Sequence, residues 1–314
     1  MQNVKSFGAA IAVASALFAF AAPAHAQAIR TWVAGVGNDA DPCSRTAPCK
    51  TFAGAISKTA INGIINCIDS GAYGTVTITK SITIDCHDVF ASILNASPPD
   101  QPGTTTGVII NVGADPKDPW RTVRLRNIDI SGAGSGNIGI SIMAAAAVVL
   151  EDLEVTGNVK QGIVDARAEA LGSALTIKNT VVANNAGSGI SVAAQSNTVV
   201  LDNVQSLRNT YGLALGKNNS AAVARSVFSN NTTAGIETDP GAQLVLNSSV
   251  VSHNATGITS NGGPVAFADS DIVFNGTAIS GATTSFGNSR IFGNGAPGLA
   301  PTAAGAATPA LGQQ

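Results

Sequence analysis

The chain has 314 residues, among them 34 Gly and 13 Pro, with 11% charged residues, 4% aromatic residues and a formal net charge of -2. Low charge beside 45% hydrophobic residues excludes a wholly disordered chain, and the lack of any Lys/Arg cluster excludes a basic nucleic-acid binder. The apolar residues are mainly Ala, Val, Ile and Leu, which suit thin packing layers, and abundant Gly and Asn mark a chain that turns often.

In chain order, residues 1–26 read as a secretory signal: Lys5 supplies the positive start, Ala9 to Ala22 an apolar run, and Ala24-His25-Ala26 a small-x-small cleavage site. The run is short of the roughly 20 residues that span a bilayer, so no membrane span is expected after cleavage. The expected location is periplasmic or secreted. Export makes the four cysteines intelligible as disulfides. Three pairings exist, of which Cys43–Cys49 with Cys67–Cys86 is preferred; a zinc site fits the C-x5-C spacing poorly.

Residues 27–63 are expected to hold a strand, a loop and a capping helix. The helix reads over residues 50–61, with Phe52, Ala55, Ile56 and Thr59 on one side and Asn62-Gly63 as its stop. Strands follow at residues 64–68, 75–78 and 82–85. The Pro-rich stretch 90–119 reads as an irregular excursion around one rung at residues 108–112.

From about residue 120 the chain repeats itself. A Gly-Ile or Gly-Leu step recurs at Gly139, Gly162, Gly189, Gly212, Gly235, Gly257 and Gly298, with Ala278-Ile279 in the remaining slot. An Asn precedes the step at Asn158, Asn185, Asn209, Asn231, Asn254, Asn275 and Asn294. Each repeat divides into three short apolar segments of period two, as in ALTIK, TVVA and GISVA, with polar corners such as Asn179 and Asn184-Asn185. Three such strands cannot bury an apolar face alone. Stacked at roughly 4.8 Å they pair above and below, which gives an all-β, single right-handed parallel β-helix over residues 64–299. The corner Asn are expected in the left-handed backbone region and bonded along a ladder.

Two inward columns follow from this register. One is Leu125, Leu150, Ile177, Leu201, Val223, Leu246, Phe267, Phe286; the other is Ile140, Ile163, Ile190, Leu213, Ile236, Ile258, Ile279, Leu299. From Gly295 the pattern gives way to Ala, Pro and Gly, and residues 300–314 are expected to be a disordered tail.

With TWVAGVGNDADPCSRTAPCKTFAGAI at its start and N-x-x-x-G-I repeats after it, the chain resembles the pectin-lyase-like superfamily of right-handed β-helix proteins. That resemblance implies the fold over nearly the whole mature chain, and it leaves activity open among lyases, hydrolases, epimerases, adhesins and non-enzymes. The hydrolase signatures Asn-Thr-Asp, Asp-Asp, Gly-His-Gly and Arg-Ile-Lys do not occur here, nor does the Asp-Pro-His of the epimerases.

The outward columns remain as candidate chemistry. Arg126, Glu151, Lys178 and Asp202 alternate in sign, which reads as an ion-pair ladder in preference to a groove with base and calcium ligands. Asp129 and Glu154 stack in the second-strand column, where two carboxylates could share Ca2+, with Asp152 at the corner. His87 and His253 read as solvated turn residues. Val149, Val200, Ala222, Val245 and Ala266, with Val181, Val227 and Val250, form an apolar stripe open to self-association or another exported protein. Sugar clefts offer aromatic platforms, and Trp32 and Trp120 both precede the regular rungs. No catalytic, cofactor-binding or metal residue is assigned. The expected role is a non-catalytic exported surface for glycan binding, protein contact or self-association. The alternative is a polysaccharide-acting enzyme, foremost a uronate-polymer lyase with Arg124, Arg126 or Lys178 as base, and less readily a glycoside hydrolase or epimerase.

Overall fold

The computed structural model describes residues 27–167, 173–193 and 197–304, so the expected signal lies outside the described residues. Within them the chain winds into a right-handed parallel β-helix of about ten turns, and every ladder between its strands is parallel. The third strand of each rung joins a ten-stranded sheet running from Val76–Ile78 to Ala296–Gly298. First and second strands form the other walls, fused without a break in Ala174–Ala183 and Thr198–Leu207.

The core is a column because the inward positions of the first and third strands stay in register from rung to rung. Leu125, Leu150, Ile177, Leu201, Val223, Leu246 and Phe267 lie over one another and are buried. So are Ile140, Ile163, Ile190, Leu213, Ile236, Ile258 and Ile279. Both expected columns fail at their last member. Ser285, not Phe286, pairs with Phe267, and Gly298, not Leu299, pairs with Ile279. Gly298 lies in the last strand of its sheet, packed from one side only, so its inward slot no longer demands a large side chain, and Leu299 is 54% exposed. The array also outlasts its expected end, since Thr302–Ala303 still pairs with Thr284–Ser285. Residues 305–314 of the expected tail lie outside the described residues.

One corner is lined by a ladder of buried Asn side chains. Asn158 Nδ2 donates to Asn185 Oδ1 at 2.8 Å, Asn231 to Asn254 at 2.9 Å, Asn254 to Asn275 at 2.9 Å and Asn275 to Asn294 at 3.0 Å. Each Oδ1 also accepts the backbone N–H of the ladder Asn one rung earlier, as from Asn209 to Asn231 at 3.0 Å. The left-handed backbone falls as expected on the corner residues Asn179, Asn184 and Asn230, and likewise on Arg208, His253 and Phe274, but not on the ladder Asn themselves. The turn has to reverse before the amide can point inward. Asn95 joins the ladder above Asn158 at 2.9 Å, a rung that the Pro-rich stretch disguises.

The ladder explains the glycine of the repeat. A Cβ on Gly235 would lie 2.8 Å from Asn254 Nδ2 and 2.8 Å from the Gly257 carbonyl, and one on Gly162 would lie 2.9 Å from Asn185 Nδ2. The two recurring features thus share one cause: the amide of one rung occupies the space where the neighbouring rung would carry a methyl.

At the N-terminal end, helix α1 (Phe52–Lys58) is shorter than the expected 50–61. Thr59 leaves it to pair with Ala28, its hydroxyl meeting Thr31 at 2.8 Å, and Asn62-Gly63 falls inside strand Thr59–Cys67. A β-branched residue offered a strand partner takes the ladder. Asp39 holds the helix start: its carboxylate accepts N–H groups from Lys50 at 2.8 Å and Thr51 at 2.9 Å, while Thr51 caps Gly54. Phe52 is buried against Tyr73, ring centroids 5.2 Å apart. The helix packs on Ala28–Val33, Thr59–Cys67 and Val76–Ile78, and so covers the first rung. Disulfides form at Cys43–Cys49 and Cys67–Cys86. The stretch 90–119 holds two strands, Ala91–Leu94 and Val108–Asn111. No helix among the described residues is long and apolar enough to cross a membrane.

Candidate functional site

Strand residues that point outward stack as regularly as those that point in. In the second-strand wall Ser92, Asp129, Glu154 and Val181 succeed one another on adjacent rungs. Beside them the corner residues Asn127, Asp152 and Asn179 all have positive φ. Asn179 Nδ2 donates to Asp152 Oδ1 at 3.1 Å, which fixes that carboxylate along the wall.

A loop rises over this wall because the first strand ends at the Cys67–Cys86 disulfide. Asn127 Nδ2 donates to the carbonyls of Cys86 and Val89, both at 2.8 Å, and the His87 N–H bonds Asp85 Oδ1 at 3.1 Å. Phe90 leaves the loop 66% exposed. Loop and wall enclose an open cavity of about 740 Å³ whose lining includes His87, Asp88, Phe90, Asp129, Asp152 and Glu154. Burial pushes the Asp129 carboxyl above its ordinary range, and the Glu154 carboxylate pushes it further the same way.

The Asp129–Glu154 stack is therefore brought together as expected, with Asp152 and His87 at the same cavity. As a calcium cage it is incomplete: among the described residues no three His, Cys, Asp or Glu side chains are grouped to hold a metal ion. The expected lyase bases lie elsewhere. Arg126 is engaged with Asp85 at 3.5 Å and Glu151 at 3.3 Å, and neither it, Arg124 nor Lys178 lines the cavity. The charge ladder differs from its expected order. It begins at Asp85, and Asp202 pairs with the corner residue Arg225, not with Lys178.

The apolar stripe is shallower than expected. Val245 is 53% exposed and Ala222 is exposed, but Val149, Val181, Val200, Val227, Val250 and Ala266 are half-buried by their neighbours. Exposed aromatic rings stand elsewhere, at Phe90 and at the C-terminal corner, where Phe274 lies 5.5 Å from the His253 ring beside Phe292. For Phe274 the sequence signal was faint: a Phe directly before a ladder Asn occupies a corner, where the inward pattern has no place for it.

Residues 64–220 and 121–306 match the family model described as right handed beta helix region, and the chain belongs to that family. Among solved structures, pectate lyase Pel9A superposes with TM-score 0.55 at 14% identity, over 86% of this chain and 81% of that one. XylC in complex with xylose gives 0.47 at 10% identity over 83% and 70%. The A-module of Azotobacter vinelandii mannuronan C-5 epimerase AlgE4 gives 0.40 at 11% over 71% and 72%. These likenesses are of fold. No match is found among curated proteins.

Proposed function

We propose that this is an exported β-helix whose lateral wall binds a glycan in the cavity between the 87–90 loop and the Asp129–Glu154 column, without turning it over. The observation that carries this reading is the pairing of an exposed ring, Phe90, with a row of carboxylate and amide acceptors one rung apart. Saccharides are held by such a combination, their C–H faces on an aromatic ring and their hydroxyls on polar groups. Two disulfides agree with an oxidising compartment outside the cytosol.

The charge of the cavity selects the sugar. Among the described residues Asp88, Asp129, Asp152 and Glu154 line it and no Lys or Arg does, so a polyuronate would meet its own sign. A neutral or amine-bearing glycan fits, and a uronate-polymer lyase is the weaker enzyme reading.

One feature favours a second reading. A carboxyl group raised above its ordinary range by burial and by a neighbouring carboxylate, at a rung spacing of about 4.8 Å, approaches the about 5 Å separation of a retaining glycosidase pair. Titration with neutral, amine-bearing and uronate oligosaccharides, followed by product analysis, distinguishes the readings. Binding of the first two without new reducing ends, weakened about tenfold by Phe90→Ala, supports the binding role. New reducing ends lost in Asp129→Asn replace it with hydrolysis, and binding of uronates alone overturns both.

A further inference from the structure

Four Asn-Gly steps occur in the described chain, at Asn62-Gly63, Asn261-Gly262, Asn275-Gly276 and Asn294-Gly295. The same dipeptide therefore sits in four environments of one molecule. We infer that Asn261 is a site of spontaneous deamidation, selected from the four by the freedom of the backbone nitrogen that follows it.

The chemistry needs two things: a side-chain amide that can swing onto its own backbone, and a following N–H that is not already donated. Gly262 nitrogen, giving up its proton, bonds to Cγ of Asn261. The Cγ–Nδ2 bond breaks and ammonia leaves. The succinimide that results takes up one water and opens to aspartate or isoaspartate.

Only one step meets both conditions. Asn261 is exposed in the turn between Thr256–Ser260 and Val265–Ala268. Gly262 has φ 108°, has no atom within 4 Å of where its Cβ would stand, and donates no backbone hydrogen bond. Asn261 Nδ2 is held only by Glu237 Oε1, at 3.3 Å.

The other three are blocked. At Asn275 the amide donates to Asn294 Oδ1 at 3.0 Å and to the Val251 carbonyl at 3.0 Å, while the Gly276 N–H is bonded to the Asn254 carbonyl at 2.8 Å. At Asn294 the amide donates to the Ile272 carbonyl at 2.9 Å, and the Gly295 N–H is bonded to the Asn275 carbonyl at 2.8 Å. Asn62 is exposed, but Gly63 is buried and in register with Ile82, so its nitrogen cannot pivot. The product at residue 261 is a carboxylate facing Glu237, which replaces a hydrogen bond by repulsion, so an acidic form loosened at this turn accumulates with age.

The test is incubation of the folded protein in mildly alkaline buffer, with a denatured sample alongside, followed by peptide mass mapping and isoaspartate detection. The folded protein should convert at Asn261 alone, the denatured chain at all four steps, and N261Q should lose the acidic form. Conversion of the folded protein at Asn62, Asn275 or Asn294 as fast as at Asn261 overturns the inference. So does an intact Asn261 in folded protein over the time in which the denatured chain converts there.

Discussion

Asn231 is fully engaged. Its Oδ1 accepts the Asn209 backbone N–H at 3.0 Å, and its Nδ2 donates to Asn254 Oδ1 at 2.9 Å and to the Ser206 carbonyl at 3.3 Å. Asn231→Ala would strand a donor above and an acceptor below inside a buried corner, at a cost of about 1–3 kcal/mol per orphaned group. Denaturant unfolding should show a midpoint well below that of Asn294→Ala, which removes a partly exposed amide at the last rung. Gly235→Ala is expected to cost about 1–3 kcal/mol by crowding that same ladder. A second residue sets the acid response. Burial raises the Asp118 carboxyl, but hydrogen bonds from the Ser81 hydroxyl and N–H and the Arg121 N–H outweigh it and hold it below its ordinary value. Its folded value thus lies below its unfolded one, near 3.9. Its stabilisation is complete above the unfolded value and fades as pH falls through the folded one. Asp118→Asn should flatten the acid limb of the stability curve, and an unchanged limb would remove Asp118 from this role.

At the scale of elements, patterning was legible through the regular rungs, and it failed where a second force acted. The columns read correctly down to Phe267 and Ile279, then missed at Phe286, where Ser285 takes the slot, and at Leu299, beyond the last strand of its sheet. The helix was placed correctly at Phe52 and Ala55, but its end was set by strand pairing at Thr59, which helical periodicity cannot register. The candidate site was half legible. Asp129 and Glu154 could be stacked by counting, whereas Phe90 reaches the cavity on a loop whose path depends on a disulfide and two side-chain bonds from the corner residue Asn127. That dependence is testable: replacing Cys67 and Cys86 by Ala should lower stability by about 2–4 kcal/mol and weaken glycan binding in parallel. A second element rests on a buried ion pair. Arg167 and Asp165 are both buried, bonded at 2.8 and 2.6 Å, with Asn197 Nδ2 on the same carboxylate at 3.0 Å. Asp165→Ala leaves a buried guanidinium unpaired and should cost about 3–5 kcal/mol, more than the double change Asp165→Leu/Arg167→Met. Thermal unfolding of the three proteins measures the order.

For the whole molecule, each rung meets only the rungs above and below, so stability accrues along one axis and the ends carry the greatest exposure. The N-terminal end is closed by α1, Phe52 and the Asp39 clasp. Hydrogen exchange should be slowest in the middle rungs around Ile190 and Leu213, and fastest at Arg290–Phe292 and Thr302–Ala303. Uniform protection along the axis would show instead that the rungs open as one unit. The same linear build accounts for the limits of reading function from this chain. A repeating interior announces itself in many residues at once, while the wall that meets a ligand is written in a few positions that no repeat marks.

The corner just before the ladder shows how such a wall can change. Asn184, Arg208, Asn230, His253 and Phe274 share one backbone bend, yet their side chains are amide, cation, imidazole and ring. Natural selection can therefore exchange recognition chemistry there at little risk to folding, which lets relatives diverge in what they touch while remaining superposable in shape.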